Sequence, residues 1–182
     1  MKKLSQAFKA SALALGLLST AAAGTVHAAR LADGRVVFDQ SPKLVEATTF
    51  DYAAGFSGRY HFVIEVPADA GEPLEAIAIM PLEAAQHIDF KLASTTAQRG
   101  GVYANGPNLP LASVGGAPED PAHVLVVFEQ PVQPGETATV TLATARNPWG
   151  GVYVFRVVGY PAGDNGVGQT LGYGRIQTYN NQ

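Results

Sequence analysis

Cysteine is missing from the chain altogether, which excludes a disulfide scaffold, a thiolate zinc site, a CxxC redox centre and a cysteine nucleophile. A lipid anchor carried on an acylated cysteine is excluded with it. Charge is scarce as well: 15% of residues are charged, with 12 Lys+Arg against 15 Asp+Glu. That balance leaves no basic surplus for nucleic acid. Long apolar runs are lacking beyond the first segment. The longest later one, Val124–Phe128, falls far short of the roughly 20 residues that a spanning helix needs. What the chain does have is 182 residues, 47% of them apolar, with 20 Gly and 12 Pro. This is the scale of one domain plus a targeting segment, and too apolar for wholesale disorder.

The targeting segment is written in the first 28 residues. Lys2, Lys3 and Lys9 open it, an uncharged apolar stretch from Ala10 to Leu18 follows, and small residues close it at Val26 and Ala28. This is the layout of a secretory signal peptide, with cleavage expected after Ala28 and a second possible site after Ala23. The alternative, an uncleaved anchor, is disfavoured by the short apolar stretch. Cleavage removes three of the 12 basic residues and none of the acidic ones, so residues 29–182 carry 9 against 15, a net −6. The expected product is a single acidic domain, secreted or periplasmic, with no transmembrane segment.

In that domain the apolar residues alternate instead of recurring at helical spacing. Tyr60, Phe62, Ile64 and Val66 share one face, with His61, Val63 and Glu65 on the other. Ala138, Val140 and Leu142 alternate with Thr137, Thr139 and Thr141, and Ile88, Phe90 and Leu92 alternate with Asp89 and Lys91. Period two predicts half-buried strands, the threonines forming a solvent-facing ladder. Val124–Phe128 and Val152–Val158 read as strands buried on both sides. Leu44–Tyr52, Leu74–Met80, Gln169–Tyr179 and an edge strand at Arg35–Phe38 complete the set. Breakers separate them: Pro67–Gly71, Pro131–Gly135, Pro148–Gly151 and Pro161–Gly166. The fold class expected is all-β, an antiparallel β-sandwich, with an immunoglobulin-like arrangement among the options. Leu82–Gln86 fits one helical turn. Residues 94–121, rich in Gly and Pro, form one long irregular loop region.

An ordered set of short elements runs through the domain: Pro67–Leu74, Pro131–Glu136, Arg146-Asn147-Pro148, Gly151-Val152-Tyr153, Pro161-Ala162-Gly163 and Leu171–Arg175. Together they resemble a family of exported bacterial proteins, found mainly in cyanobacteria, known as the domain of unknown function numbered 2808. The likeness covers about residues 35–179. It implies a small secreted β domain and carries over no catalytic residues.

The residues themselves allow few chemistries. His61, His87 and His123 are isolated, without HxH, HxxxH or HExxH spacing, and Met80 is the one methionine of the mature domain; a metal-carrying module is thus a minor alternative. Asp164-Asn165-Gly166 lacks a DxDxDG ligand series and reads as a turn. Gly55-Phe56-Ser57-Gly58 has Arg59 where GxSxG needs glycine, and it precedes a strand. Gly163–Gly168 is not GxGxxG, so no cofactor is expected. An exported carbohydrate-active or cell-wall enzyme remains the runner-up, its carboxylates unidentified. Binding leads. Trp149, in a Pro-Trp-Gly-Gly loop, is either a lid on the sandwich or a platform for a glycan or partner protein of the envelope or cell exterior. Arg146, Arg156 and Arg175 lie in apolar surroundings and are expected to pair with carboxylates, with an anion site built from Arg146 and Arg175 as the sharper alternative. The candidate ligand-binding set is Arg146, Trp149, Tyr173 and Arg175. Gly172 and Gly174 flank Tyr173, where a bulge or a neighbour resting on bare backbone is expected.

Overall fold

The computed structural model describes residues 29–180 apart from 32, 83–87 and 118–119. The signal segment, His87 and most of the helical turn expected at Leu82–Gln86 lie outside the described residues. Eleven strands are described: β1 Ala29–Arg30, β2 Val36–Val37, β3 Lys43–Thr49, β4 Gly58–Glu65, β5 Leu74–Pro81 and β6 Thr96–Arg99, then β7 Leu111–Ala117, β8 Asp120–Val132, β9 Thr137–Thr144, β10 Gly151–Pro161 and β11 Gln169–Thr178. One sheet has the order β3-β4-β9-β6 and the other β11-β10-β5-β8-β7, while β1 and β2 pair as a small ribbon. Every ladder is antiparallel. The protein is an all-β sandwich of four strands against five.

The alternation along β4 explains why the sheets stack. Tyr60, Phe62 and Ile64 are fully buried and lie opposite Leu142, Val140 and Ala138 of β9. The other sheet answers with Ile77 and Ile79 of β5, Val124 and Val126 of β8, Phe155 and Val157 of β10 and Ile176 of β11. Phe155 meets Tyr60 and Phe62 edge-on, ring centres 6.0 and 5.6 Å apart, the geometry that aromatic quadrupoles favour.

At one lateral edge β11 comes up against β3, and the two glycines of β11 make this possible. A Cβ on Gly174 would overlap that of Ala47, and one on Gly172 would lie 3.2 Å from the Cβ of Leu44. The β10–β11 register shifts beside Gly172, between Val157 and Val158. Both the bulge and the bare-backbone contact expected of these glycines occur here.

Three expectations change. Ile88–Leu92 is not a ladder strand: Phe90 makes one isolated bridge to Thr144 and the chain then turns in a 3-10 turn at Leu92–Ser94. Ile88 is still buried, so the alternation correctly marked an inward face on a segment too short to pair. The region 94–121 is less irregular than expected, since β6 and β7 lie in it as edge strands on either side of residues 100–110. Their sequences, TAQR and LASVGGA, hide this because an edge strand packs little and needs no strong alternation. Finally, Val124–Phe128 and Val152–Arg156 are each buried on one face only. Val124, Val126 and Phe128 point inward while Leu125 is 40% exposed, because nothing in an antiparallel sandwich has to cover the outer face of a sheet.

Candidate functional site

Three chain segments meet at one end of the sandwich: residues 50–57 between β3 and β4, residues 145–150 between β9 and β10, and the exit of β11. Asn147 holds them together. It is buried, and its Nδ2 donates to the carbonyls of Asp51 (2.6 Å) and Ala53 (3.1 Å), while its Oδ1 accepts from Thr144 Oγ1 at 3.2 Å. Its backbone N–H donates to Phe56 O and its carbonyl accepts from Gly55 N–H. On the other side Tyr179 N–H donates to Tyr52 O at 2.8 Å and Ala54 N–H to Tyr179 O at 2.9 Å. A loop that would otherwise be free to move is laced to two neighbours through its backbone.

The lacing presents aromatic rings outward. Tyr52, Phe56, Trp149 and Tyr179 are 47, 61, 67 and 53% exposed, and Tyr52 and Tyr179 meet edge-on. The Trp149 carbonyl accepts hydrogen bonds from Tyr153 Oη and Thr178 Oγ1, both 2.8 Å, and Asn180 Oδ1 accepts from Gly150 N–H. Trp149 thus stands out on a fixed backbone instead of closing over the sandwich as a lid. Between the segments lies a notch of about 370 Å³ whose lining includes Ala54, Gly55, Arg146, Asn147, Trp149 and Asn180.

Of the sequence-derived set, Arg146 and Trp149 share this notch, and Tyr173 and Arg175 do not line it. The latter two stand exposed on β11, opposite Arg156 and Val154 of β10. Arg146 and Arg175 therefore do not share this notch. Nor do the three arginines pair with carboxylates: among the described residues the ion pairs are Arg35–Asp33 and Arg99–Glu136. Arg156 instead sets Nη2 3.5 Å from Met80 Sδ, since its cross-strand neighbours are Met80 and Tyr173. Single-sequence reasoning had no register from which to see this.

A second and larger concavity lies on the outer face of the four-stranded sheet, a trough of about 670 Å³ whose lining includes Arg59, His61, Lys91, Thr96, Gln98 and Thr141. Its floor is set by register. His61 of β4, Thr141 of β9 and Thr96 of β6 form one row across the sheet, and His61 Nδ1 and Thr141 Oγ1 are hydrogen-bonded at 2.9 Å. Burial, then the neighbouring Arg59 charge, lowers the His61 pKa from its usual 6.5, so the ring is neutral at pH 7. In the next row, Arg59 lies opposite Ala143, whose carbonyl accepts Lys91 N–H at 2.8 Å. The threonine ladder is only partly open to solvent: Thr139 is buried and donates to Gly100 O at 2.6 Å. Sequence reasoning flagged His61 and the threonines as outer-face residues but missed Arg59 and Lys91. The signal available was the β4–β9 alternation, which already puts Arg59 on the same face as His61. His61 and His123 belong to different sheets, and among the described residues no three of His, Asp and Glu cluster as metal ligands would.

Several solved structures are similar in outline. The C-terminal domain of the Streptococcus pyogenes antigen I/II-family protein AspA is 15% identical with a TM-score of 0.44, over 74% of this chain and 42% of that one. ACE19, the collagen binding subdomain of the Enterococcus faecalis surface protein ACE, is 8% identical with a TM-score of 0.45, over 78% and 97%. The collagen adhesin CNA from S. aureus is 7% identical with a TM-score of 0.40, over 73% and 48%. The chain spans less than half the length of the AspA and CNA structures. No curated protein sequence matches it. The family model described as a protein of unknown function, DUF2808, matches residues 35–178, from just before β2 to the end of β11. The match takes in both sheets, the trough and the notch apart from Asn180, and the protein belongs to the DUF2808 family.

Proposed function

We propose that the protein is an exported, non-catalytic binding domain that holds a saccharide of the cell envelope or exterior at its aromatic end. The observation that carries this reading is the set of four exposed rings, Tyr52, Phe56, Trp149 and Tyr179, on segments whose backbones are locked to one another. An indole face gives apolar contact to the C–H face of a sugar ring, and the Arg146 guanidinium and Asn180 amide beside it offer donors to its hydroxyls. Locking the loops beforehand spares the ordering cost that binding would otherwise carry. Export rests on the basic start, apolar stretch and Val26–Ala28 processing site of the first segment, with residues 29–182 as the mature domain. Among the described residues no helix is long and apolar enough to cross a membrane. Among the described residues, Asp51 is the one carboxylate lining either concavity.

Glycan-array binding and pull-down by the native protein, Trp149→Ala and Arg146→Ala test this reading. The native protein is expected to retain a glycan, and Trp149→Ala to weaken it at least about tenfold, the scale of one aromatic anchor. Unchanged binding by Trp149→Ala removes the aromatic end from the function. Capture of a protein in place of any glycan, lost in the same variant, moves the ligand class and leaves the site.

A further inference from the structure

We infer that the trough on the four-stranded sheet is a second binding site, one that takes a saccharide unit bearing a negative charge, a uronate carboxylate or a sulfate ester. Two cations stand on its lining, Arg59 and Lys91, and neither pairs with a carboxylate among the described residues. They lie on opposite sides of Ala143, Arg59 by the β4–β9 register and Lys91 through its backbone bond to the Ala143 carbonyl. The small Ala143 side chain leaves the space between them open. The one lining carboxylate is already engaged, Asp51 Oδ2 accepting the backbone N–H of Arg59 at 3.1 Å. In a chain with 15 acidic residues against 12 basic ones, a lining that carries two cations against one carboxylate is locally positive and favours an anion. A guanidinium matches the two oxygens of a carboxylate or sulfate, and an ammonium adds an undirected charge.

The remainder of the lining suits hydroxyl groups and not a bare ion. Ser57, Ser94, Thr96 and Thr141 supply hydroxyls that donate and accept. Gln98 spends its NH2 on the carbonyls of Gly101 and Val102, at 3.3 and 3.4 Å, which leaves its Oε1 as an acceptor. Beside the trough Phe50 packs against His61, ring centres 5.4 Å apart, and against Tyr103 at 5.6 Å; the Tyr103 ring is 77% exposed. An apolar ring next to rows of hydroxyls and two cations is the complement of a charged sugar. No residue lines both the trough and the Trp149 notch, so this inference stands whether or not Trp149 binds anything.

Calorimetric titration of the purified protein with trigalacturonate, a sulfated disaccharide, neutral maltotriose and sodium sulfate is the test. One or both charged saccharides are expected to bind, more weakly as sodium chloride is raised. Arg59→Ala and Lys91→Ala are each expected to lower affinity about tenfold, measured in the Trp149→Ala background so that only the trough is read. Arg59 and Lys91 are exposed, and a thermal melt of each variant checks that the fold is intact. The inference is overturned if neither charged saccharide binds at millimolar concentration, or if the Arg59→Ala/Lys91→Ala double variant binds as the native protein does. It is equally overturned if, in the Trp149→Ala background, maltotriose or inorganic sulfate binds as tightly as the charged sugars.

Discussion

Asn147 shows how one buried side chain can decide the shape of a surface notch that it also helps to line. Its amide reaches two carbonyls of the 50–57 loop and one hydroxyl of β9 from a buried position. Replacing it by alanine leaves the Asp51 and Ala53 carbonyls without that donor and Thr144 without that acceptor. Thr144 keeps its bonds to Gly58 and the Asp51 carbonyl keeps Thr49 Oγ1, so the loss is partial, and Asn147→Ala is expected to lower stability by about 1–3 kcal/mol, read from urea unfolding. Loss of the saccharide binding proposed for the notch should accompany it even where the protein remains folded. The sequence placed Asn147 inside a distinctive Arg-Asn-Pro element but drew attention to its charged neighbour. Arg146 is exposed; the buried frame residue is the neutral one, and nothing in a lone asparagine announces four hydrogen bonds to distant partners.

Among the elements, the seam between β3 and β11 turns on space at the scale of a methyl group. Gly174→Ala drives a Cβ into that of Ala47, and overpacking of this kind typically costs about 1–3 kcal/mol. A fall in melting temperature is expected, with much of it recovered in the Gly174→Ala/Ala47→Gly double variant. A double variant no better than the two single effects added together would show that the seam is not what requires the glycine. The glycine pair was legible because glycine inside an alternating strand is unusual enough to need a reason. The central strands β4 and β9 were legible too, since burying one face forces strict alternation. The edge strands β6 and β7 were not, because a strand with one neighbour and a mostly solvated face can be built from Thr, Ala, Gln and Gly.

For the whole molecule, the ring of Phe155 is the joint between the layers. It touches Tyr60, Phe62 and Phe90 from the opposite side of the core, so neither sheet keeps its inner face covered if the other opens. Residues 29–182 are therefore expected to unfold in a single transition, with tryptophan fluorescence, which reports the Trp149 end, coinciding with circular dichroism, which reports both sheets. Separate midpoints would mean that the aromatic end melts independently of the layers. The convergence of residues near 51, 147 and 180 could not be read from the sequence, because it depends on which strand ends the topology gathers at one pole. Its consequence reaches past this chain. The hydrogen bonds that lace the 52–56 loop use main-chain atoms of Tyr52, Ala54, Gly55 and Phe56, so the frame is indifferent to the side chains displayed at 52 and 56. Rings at these two positions can be exchanged for other groups without unpicking the support beneath them. The end of the sandwich is a mount on which different side chains can be displayed.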